Sequence, residues 1–179
     1  MIIFIRGMPG NGKTTISNIL AGKLNWEAIH VDYYKDEFMR QNPGALFFGE
    51  AVPYSYKKII DKLSNTKNNV IVEEIFRNKD FVQMILNLCK KNYIQYQWFK
   101  LVRKKKDLLP IKRKIRNTLK DLEAMEKQID DIKIEGEIMI DNQSVDGSVE
   151  KIYNRIVTQK QNLQTHPNIK VQPDIGNGN

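Results

Sequence analysis

Residues 1–20 read MIIFIRGMPGNGKTTISNIL. An apolar run leads straight into a glycine-rich turn, and Lys13, Thr14 and Thr15 follow. Gly7-Met-Pro-Gly-Asn-Gly12-Lys13-Thr14 fits G-x-x-x-x-G-K-[ST] in full, after a strand-like run and before a helix-like one. Glycine lets the backbone turn so that successive N–H groups point inward, at phosphate oxygens. A helix starting near Lys13 adds the positive end of its dipole. Lys13 is expected to reach the terminal phosphates of a nucleoside triphosphate, and Thr14 to ligate Mg²⁺ through its hydroxyl. Gly7, Pro9, Gly10, Asn11, Gly12, Lys13, Thr14 and Thr15 form the candidate cradle, and ATP with Mg²⁺ is the ligand pair it implies.

Working outward, short apolar runs alternate with amphipathic ones. Val70–Glu73, Gln97–Val102 and Glu137–Ile140 read as strands like the opening run, and Ala28–Val31 as a weaker one. Lys13–Leu24 carries Ile16, Ile19, Leu20 and Leu24 at helical spacing, and Tyr56–Leu63, Asp80–Lys91 and Val149–Val157 are similar. The alternation predicts an α/β fold: a parallel five-stranded sheet with helices on both faces. Asn117–Ile132 continues the helical pattern after Pro110. Gln41–Pro53 (QNPGALFFGEAVP) reads as a shaped loop, and Gln161–Asn179 as a disordered tail. One domain spanning 1–160 is expected, with a lid at about 103–132.

The chain has 179 residues and a net charge of +8, and the location of that charge is informative. Residues 103–116, RKKKDLLPIKRKIR, hold eight basic residues and one acid, so +7; the remaining 21 basic and 20 acidic residues leave +1. A charge this local suits a grip on one compact anion better than a broad nucleic-acid surface. No stretch approaches the roughly 18 apolar residues of a membrane span. The single cysteine, Cys89, excludes an intramolecular disulfide and makes a cytoplasmic setting the default. Cys89 sits in a helix-like run and reads as a small core residue. No Cys/His cluster suggests zinc.

Two further stretches carry a resemblance. GMPGNGKT, followed by an aspartate after the second strand in HVDYYKDEF, resembles the small P-loop kinases, a group that includes polynucleotide 5′-kinases, chloramphenicol phosphotransferase and the zeta toxins. The resemblance implies the P-loop NTPase fold and makes Asp32 the general base that takes the proton from the acceptor hydroxyl. VIVEEIFRNKD is similar to the zeta-toxin pattern of a third strand ending in Glu with Arg four residues on, which puts Glu73 and Arg77 at substrate-binding positions. The chain is shorter than zeta toxins and shows no counterpart of their longer substrate region. DYYK is also similar to the aspartate–aromatic–lysine stretch of uridine and riboside kinases.

Each candidate has a plainer alternative. Asp32 could instead cap a helix beginning at Tyr33. Glu73 and Glu74 fall at the carboxyl edge of the sheet, where open α/β sheets bind ligands; alternation sends them to opposite faces, and Glu73 is favoured. Arg77 could bind a substrate anion or neutralise these glutamates. Arg113 and Arg116, spaced i, i+3, are the lid candidates for the transferring phosphate, with Arg103 behind them; a solvated helix face is the alternative. Phe47, Phe48, Tyr54 and Tyr56 could stack on a base or sugar, or simply pack. Asp141–Ser144 lies where adenine lodges in kinases of this kind, by analogy. Neither His30 nor His166 is assigned a role. The expected activity is transfer of the γ-phosphate of ATP to a hydroxyl of a small molecule, a nucleotide sugar if the zeta-toxin likeness extends to substrate. The rivals are a 5′-hydroxyl polynucleotide kinase, for which nucleic acid is the substrate, a nucleoside kinase, and an ATP-binding switch or ATPase with no hydroxyl acceptor.

Overall fold

The computed structural model of the protein describes residues 1–103 and 119–165. The elements run β1 (Ile2–Gly7), α1 (Lys13–Leu24), β2 (Glu27–His30), α2 (Val31–Gln41), a π-helical turn (Phe47–Ala51), α3 (Val52–Asn65), β3 (Val70–Glu73), α4 (Lys79–Lys91), β4 (Tyr96–Val102), α5 (Leu119–Asp131), β5 (Ile138–Asp141) and α6 (Val145–Thr165). The five strands form one parallel sheet in the order β2-β3-β1-β4-β5. β1 lies at its centre and is buried along its whole length, which is why its sequence is a continuous apolar run and does not alternate.

Alternation along β1 divides the core in two. Ile2 and Phe4 face α3 and α4, packing with Ile59, Leu63, Phe81, Val82, Ile85 and Cys89. Ile3 and Ile5 face α1 and α6, packing with Ile16, Leu20, Val149, Ile152 and Ile156. On the first face Phe4 stacks on Trp98 with ring centroids 4.2 Å apart, and Phe76 meets both rings edge-on. Ile19, expected on the buried face of α1, lies at its margin, 36% exposed.

Local signals explain most boundaries. Gly12 at φ +74° turns the chain into α1, and Asn25 at φ +53° ends it, its N–H bonding the carbonyls of Ala21 and Gly22. Asn78 caps α4 by accepting from the Phe81 N–H. Behind the glycine-rich turn, the buried Arg6 side chain pairs with Glu137 and donates to the carbonyls of Ile129 (3.0 Å) and Ile132 (2.9 Å). It thereby ties the C-terminal end of α5 to the central strand, while Leu122 and Ile129 of α5 pack on Met8 of the turn.

Three of the boundaries that differ from the sequence expectation are instructive. Val31 opens α2 and does not extend β2; the helix starts two residues before Tyr33, with His30 as its N-cap. The segment expected to loop through Pro53 holds the π-helical turn, and Pro53 sits in the first turn of α3, where a missing N–H costs nothing. Finally, α6 continues to Thr165, past Gln161 where the tail was expected to begin. Among the described residues no helix is long and apolar enough to cross a membrane.

Candidate active site

β2, β3 and β1 are neighbours, so the segments leaving their carboxyl ends lie side by side. The glycine-rich turn leaves β1. Gly7 has φ +149°, and a Cβ there would meet the Leu101 carbonyl oxygen at 2.7 Å, so no other residue fits against β4. Lys13 is buried at the base of the turn, where its Nζ has one polar partner among the described residues, the Met8 carbonyl at 3.3 Å. Burial lowers its pKa, and the carboxylates of Glu73, Glu74 and Asp32 oppose that fall. A buried ammonium with donor capacity to spare suits a polyanion. The turn is held from the far side as well. Asn142, in the quartet after β5, donates to the Asn11 carbonyl (2.5 Å) and accepts from Ser148 Oγ (2.8 Å), while Asn11 Nδ2 donates to the Leu101 carbonyl (3.0 Å). Pro9 is half-buried, and Gly10, Thr14 and Thr15 are exposed.

Thr14 Oγ1 donates to Glu73 Oε1 at 3.1 Å. The same carboxylate oxygen lies 3.0 Å from His30 Nδ1, and His30 Nε2 lies 2.9 Å from Asn18 Oδ1. Mg²⁺ takes oxygen ligands, keeps several waters, and in nucleotide sites binds one or two protein oxygens beside phosphates. A hydroxyl and a carboxylate side by side fit that pattern. Among the described residues no group of three or more His, Cys, Asp or Glu could hold a metal without phosphates.

On the other side of Glu73 the chemistry changes. Asp32 lies in the first turn of α2, where the helix dipole favours an anion, while the N-cap His30 makes no side-chain capping bond. Asp32 is 70% exposed, and Lys35 Nζ donates to its Oδ1 at 2.8 Å. Lys35, 7% exposed, also donates to Glu74 Oε2 at 2.8 Å. Glu74 is buried, which pushes its carboxyl pKa up against the pull of Lys35. Burial pushes Lys35 down, but the Glu74 and Asp32 carboxylates outweigh it, so its pKa stands above the usual lysine range. Glu73 and Glu74 therefore part as alternation requires, one to the phosphate turn and one to α2.

Phe76, fully buried at φ +52°, bends the chain beyond Glu74. Arg77 follows, with its guanidinium 5.4 Å from the centre of the Phe48 ring and no ion pair to either glutamate. The aromatic residues of the 41–56 segment divide. Tyr56 stacks on Phe81 at 3.8 Å and Tyr54 packs on Phe38 at 4.8 Å, whereas Phe47 and Phe48 are exposed. Arg103 closes the fourth strand's end, half-buried; Arg113 and Arg116 lie outside the described residues. Sequence reasoning singled out Asp32 and noted Lys35 only as the lysine of the DYYK stretch, without a role; its i, i+3 spacing from Asp32 was the available signal. It named the quartet 141–144 for adenine and missed Asn142 as a support of the turn.

A parallel sheet with β1 central, a complete phosphate turn on it and a carboxylate at the end of each of two neighbouring strands define the class: this is the fold and site of the P-loop kinases. Residues 1–106 match the zeta toxin family, and the chain belongs to that family. A protein of Sulfurisphaera tokodaii described as "Putative adenylate kinase" is 36% identical over 83 residues, which cover 42% of this chain and 41% of that protein. Among solved structures, a gluconokinase from Sinorhizobium meliloti is similar with a TM-score of 0.65 at 13% identity, over 92% of this chain and 95% of that one. The Deinococcus radiodurans tunicamycin resistance protein is similar with a TM-score of 0.67 at 16% identity, over 87% and 94%. These two likenesses are of fold.

Proposed function

We propose that the protein transfers the γ-phosphate of ATP to a hydroxyl of a small molecule, with a nucleotide sugar as the favoured acceptor. The observation that carries this is the row of strand ends: Lys13 and Thr14 after β1, Glu73 at the end of β3 and Asp32 after β2 lie along one edge of the sheet, with Thr14 bonded to Glu73. Thr14 and Glu73 would hold Mg²⁺, which when bound would offset the charge of the phosphates. Lys13 and the N–H groups of residues 7–14 bind the triphosphate. Asp32 takes the proton of the acceptor hydroxyl as its oxygen bonds to the γ-phosphorus and ADP leaves. Exposed Phe47 and Phe48, with Arg77 against Phe48, offer a ring surface and a cation for an acceptor that has both a base and phosphates. The lid candidates of this reading, Arg113 and Arg116 of the basic segment 103–116, lie outside the described residues. The domain in this reading is 1–160 with its lid at 103–132. The setting is cytoplasmic, consistent with one buried thiol and no disulfide.

The test is incubation with Mg²⁺ and γ-labelled ATP against UDP-N-acetylglucosamine, nucleosides and 5′-hydroxyl oligonucleotides. Label is expected on the nucleotide sugar. Asp32→Asn should cut transfer by roughly 10²-fold or more, because Asn cannot accept the proton. Its melting temperature should hold, since the amide oxygen of Asn can still accept from Lys35, which also stays paired with buried Glu74. Label on the oligonucleotide, with steep salt dependence, would move the acceptor to nucleic acid. Label released only as free phosphate, equally in both proteins, would remove Asp32 from the chemistry.

A further inference from the structure

We propose that Lys35 is the positioning residue for the Asp32 carboxylate: anchored from behind by Glu74, it holds Oδ1 and leaves Oδ2 as the atom that takes the acceptor's proton. This rests on the assignment of Asp32 as base. Nothing in the sequence pattern of the phosphate turn requires a lysine here, and its placement is costly. A lysine at the first turn of a surface helix ordinarily extends its ammonium into water. Lys35 instead lies 7% exposed. An ammonium is kept in such a place only when paired and hydrogen-bonded.

The two partners differ in a way that gives the group a direction. Glu74 is 5% exposed, and its backbone N–H bonds the Ile5 carbonyl of the central strand at 3.2 Å. It is therefore a fixed point. Asp32 is 70% exposed, and the hydrogen bond its side chain makes among the described residues is the one it accepts from Lys35. Left alone, an exposed aspartate samples several rotamers. Here α2 places residues 32 and 35 on one face, and the ammonium carries the rigidity of β1 and β3 through Glu74 to Oδ1. Two of the three Nζ protons are used in these bonds, so Lys35 is committed to carboxylates and is not a phosphate clamp like Lys13. A base held by a third group, itself fixed by the scaffold, is the arrangement by which proton acceptors are kept in register with a hydroxyl.

A plain structural role would make Lys35 only the neutraliser of Glu74. The variant that separates the two is Lys35→Met/Glu74→Gln, which removes both buried charges together and so preserves the fold. It is compared with wild type, Asp32→Asn, and the combination of all three changes. Two rates are read: label transfer from ATP to UDP-N-acetylglucosamine, and slow ATP hydrolysis to water. Lys35→Met/Glu74→Gln should melt cooperatively and keep its KM for ATP within about twofold, while kcat falls roughly 10²-fold, as a misplaced reacting group costs. Adding Asp32→Asn should then cost little more, because the base is already out of place. Wild-type kcat in Lys35→Met/Glu74→Gln would overturn the inference, and so would a full additive loss from Asp32→Asn on top of it. An unchanged kcat in Asp32→Asn alone would remove the base and this inference with it; the full loss there beside wild-type kcat in the charge-free pair would remove the inference alone. If the sugar nucleotide takes no label in wild type, the acceptor assignment fails and the hydrolysis rates decide the role of Lys35.

Discussion

The two halves of the cleft are built on opposite plans. On the phosphate half every element is fixed by buried bonds: Gly7 against Leu101, Asn11 to β4, Asn142 to Asn11, Lys13 beneath the turn. On the acceptor half, Asp32, Tyr33, Phe47 and Phe48 are exposed, and Arg77 lies over an exposed ring. In the proposed function the difference follows from the ligand each half would serve. A triphosphate has one shape, so a rigid nest of donors recognises it with little reorganisation. An acceptor must enter, be covered and leave, and the surface that covers it is drawn from weakly packed segments. Lys35 is the exception on the acceptor side, a buried charge that links buried Glu74 to exposed Asp32.

The strongest way to break the phosphate half is Lys13→Met. It removes the buried ammonium at the base of the turn and leaves a linear apolar chain in its place. Loss of one such preorganised charge should lower kcat by roughly 10³-fold. Stability should rise or hold, since burial disfavours the ammonium in the absence of a ligand, as its lowered pKa indicates. Thermal melts without nucleotide, set beside turnover, check both signs. A variant that lost stability as well would mean that Lys13 is a structural residue of the fold.

How much of this was legible in the sequence divides along the same line. The phosphate half is local: eight consecutive residues specify the turn, and β1 announces its burial by its run of apolar residues. Alternation said only that Glu73 and Glu74 part to opposite faces; Glu73 was favoured because it ends the apolar run and fits the zeta-toxin pattern. What escaped was non-local. Lys35 acquires its meaning only because β2 and β3 are neighbours, which sets Glu74 against α2. Asn142 supports Asn11 across 131 positions of chain, a pairing that no spacing rule encodes. Val31 looked like the end of a strand because it is apolar, but it is buried as the first residue of a helix. The split of the four aromatic residues into packed and exposed pairs depended on where α3 begins, which the proline inside its first turn obscured.

The comparison sharpens if each half is weakened separately. Asn142→Ala removes a buried donor to the turn and leaves the Asn11 carbonyl and Ser148 hydroxyl short of a partner, at about 1–3 kcal/mol. The KM for ATP should rise roughly tenfold, with the acceptor KM unchanged. Phe48→Ala removes the ring under Arg77 and should do the reverse: acceptor KM up by roughly tenfold, as loss of a ring contact of about 1 kcal/mol or more implies, and ATP unaffected. Initial rates over a grid of both substrates measure the two constants together. If both variants shifted the same constant, the division of the cleft would be wrong.

The smallest effect concerns the core beneath both halves. Cys89 packs in α4 against the sheet face that carries Phe4 and Trp98, and burial pushes its thiol up to about 11 from an ordinary 9.0. Above pH 9 the unfolded chain releases a proton that the native chain keeps, so native stability must fall as pH rises through that window. Between pH 9 and pH 10 the loss should be about 1 kcal/mol, since each unit of pKa difference corresponds to about 1.4 kcal/mol. Lysines and tyrosines titrate nearby in pH, but they are common to wild type and Cys89→Ala. The difference between the two urea-unfolding curves therefore isolates the thiol. Cys89→Ala should start less stable, through its lost packing, and close the gap as pH rises. Parallel curves would mean that the thiol reaches water in the native protein, and that the core under β3 and β1 is looser than the fixed geometry of the phosphate half requires.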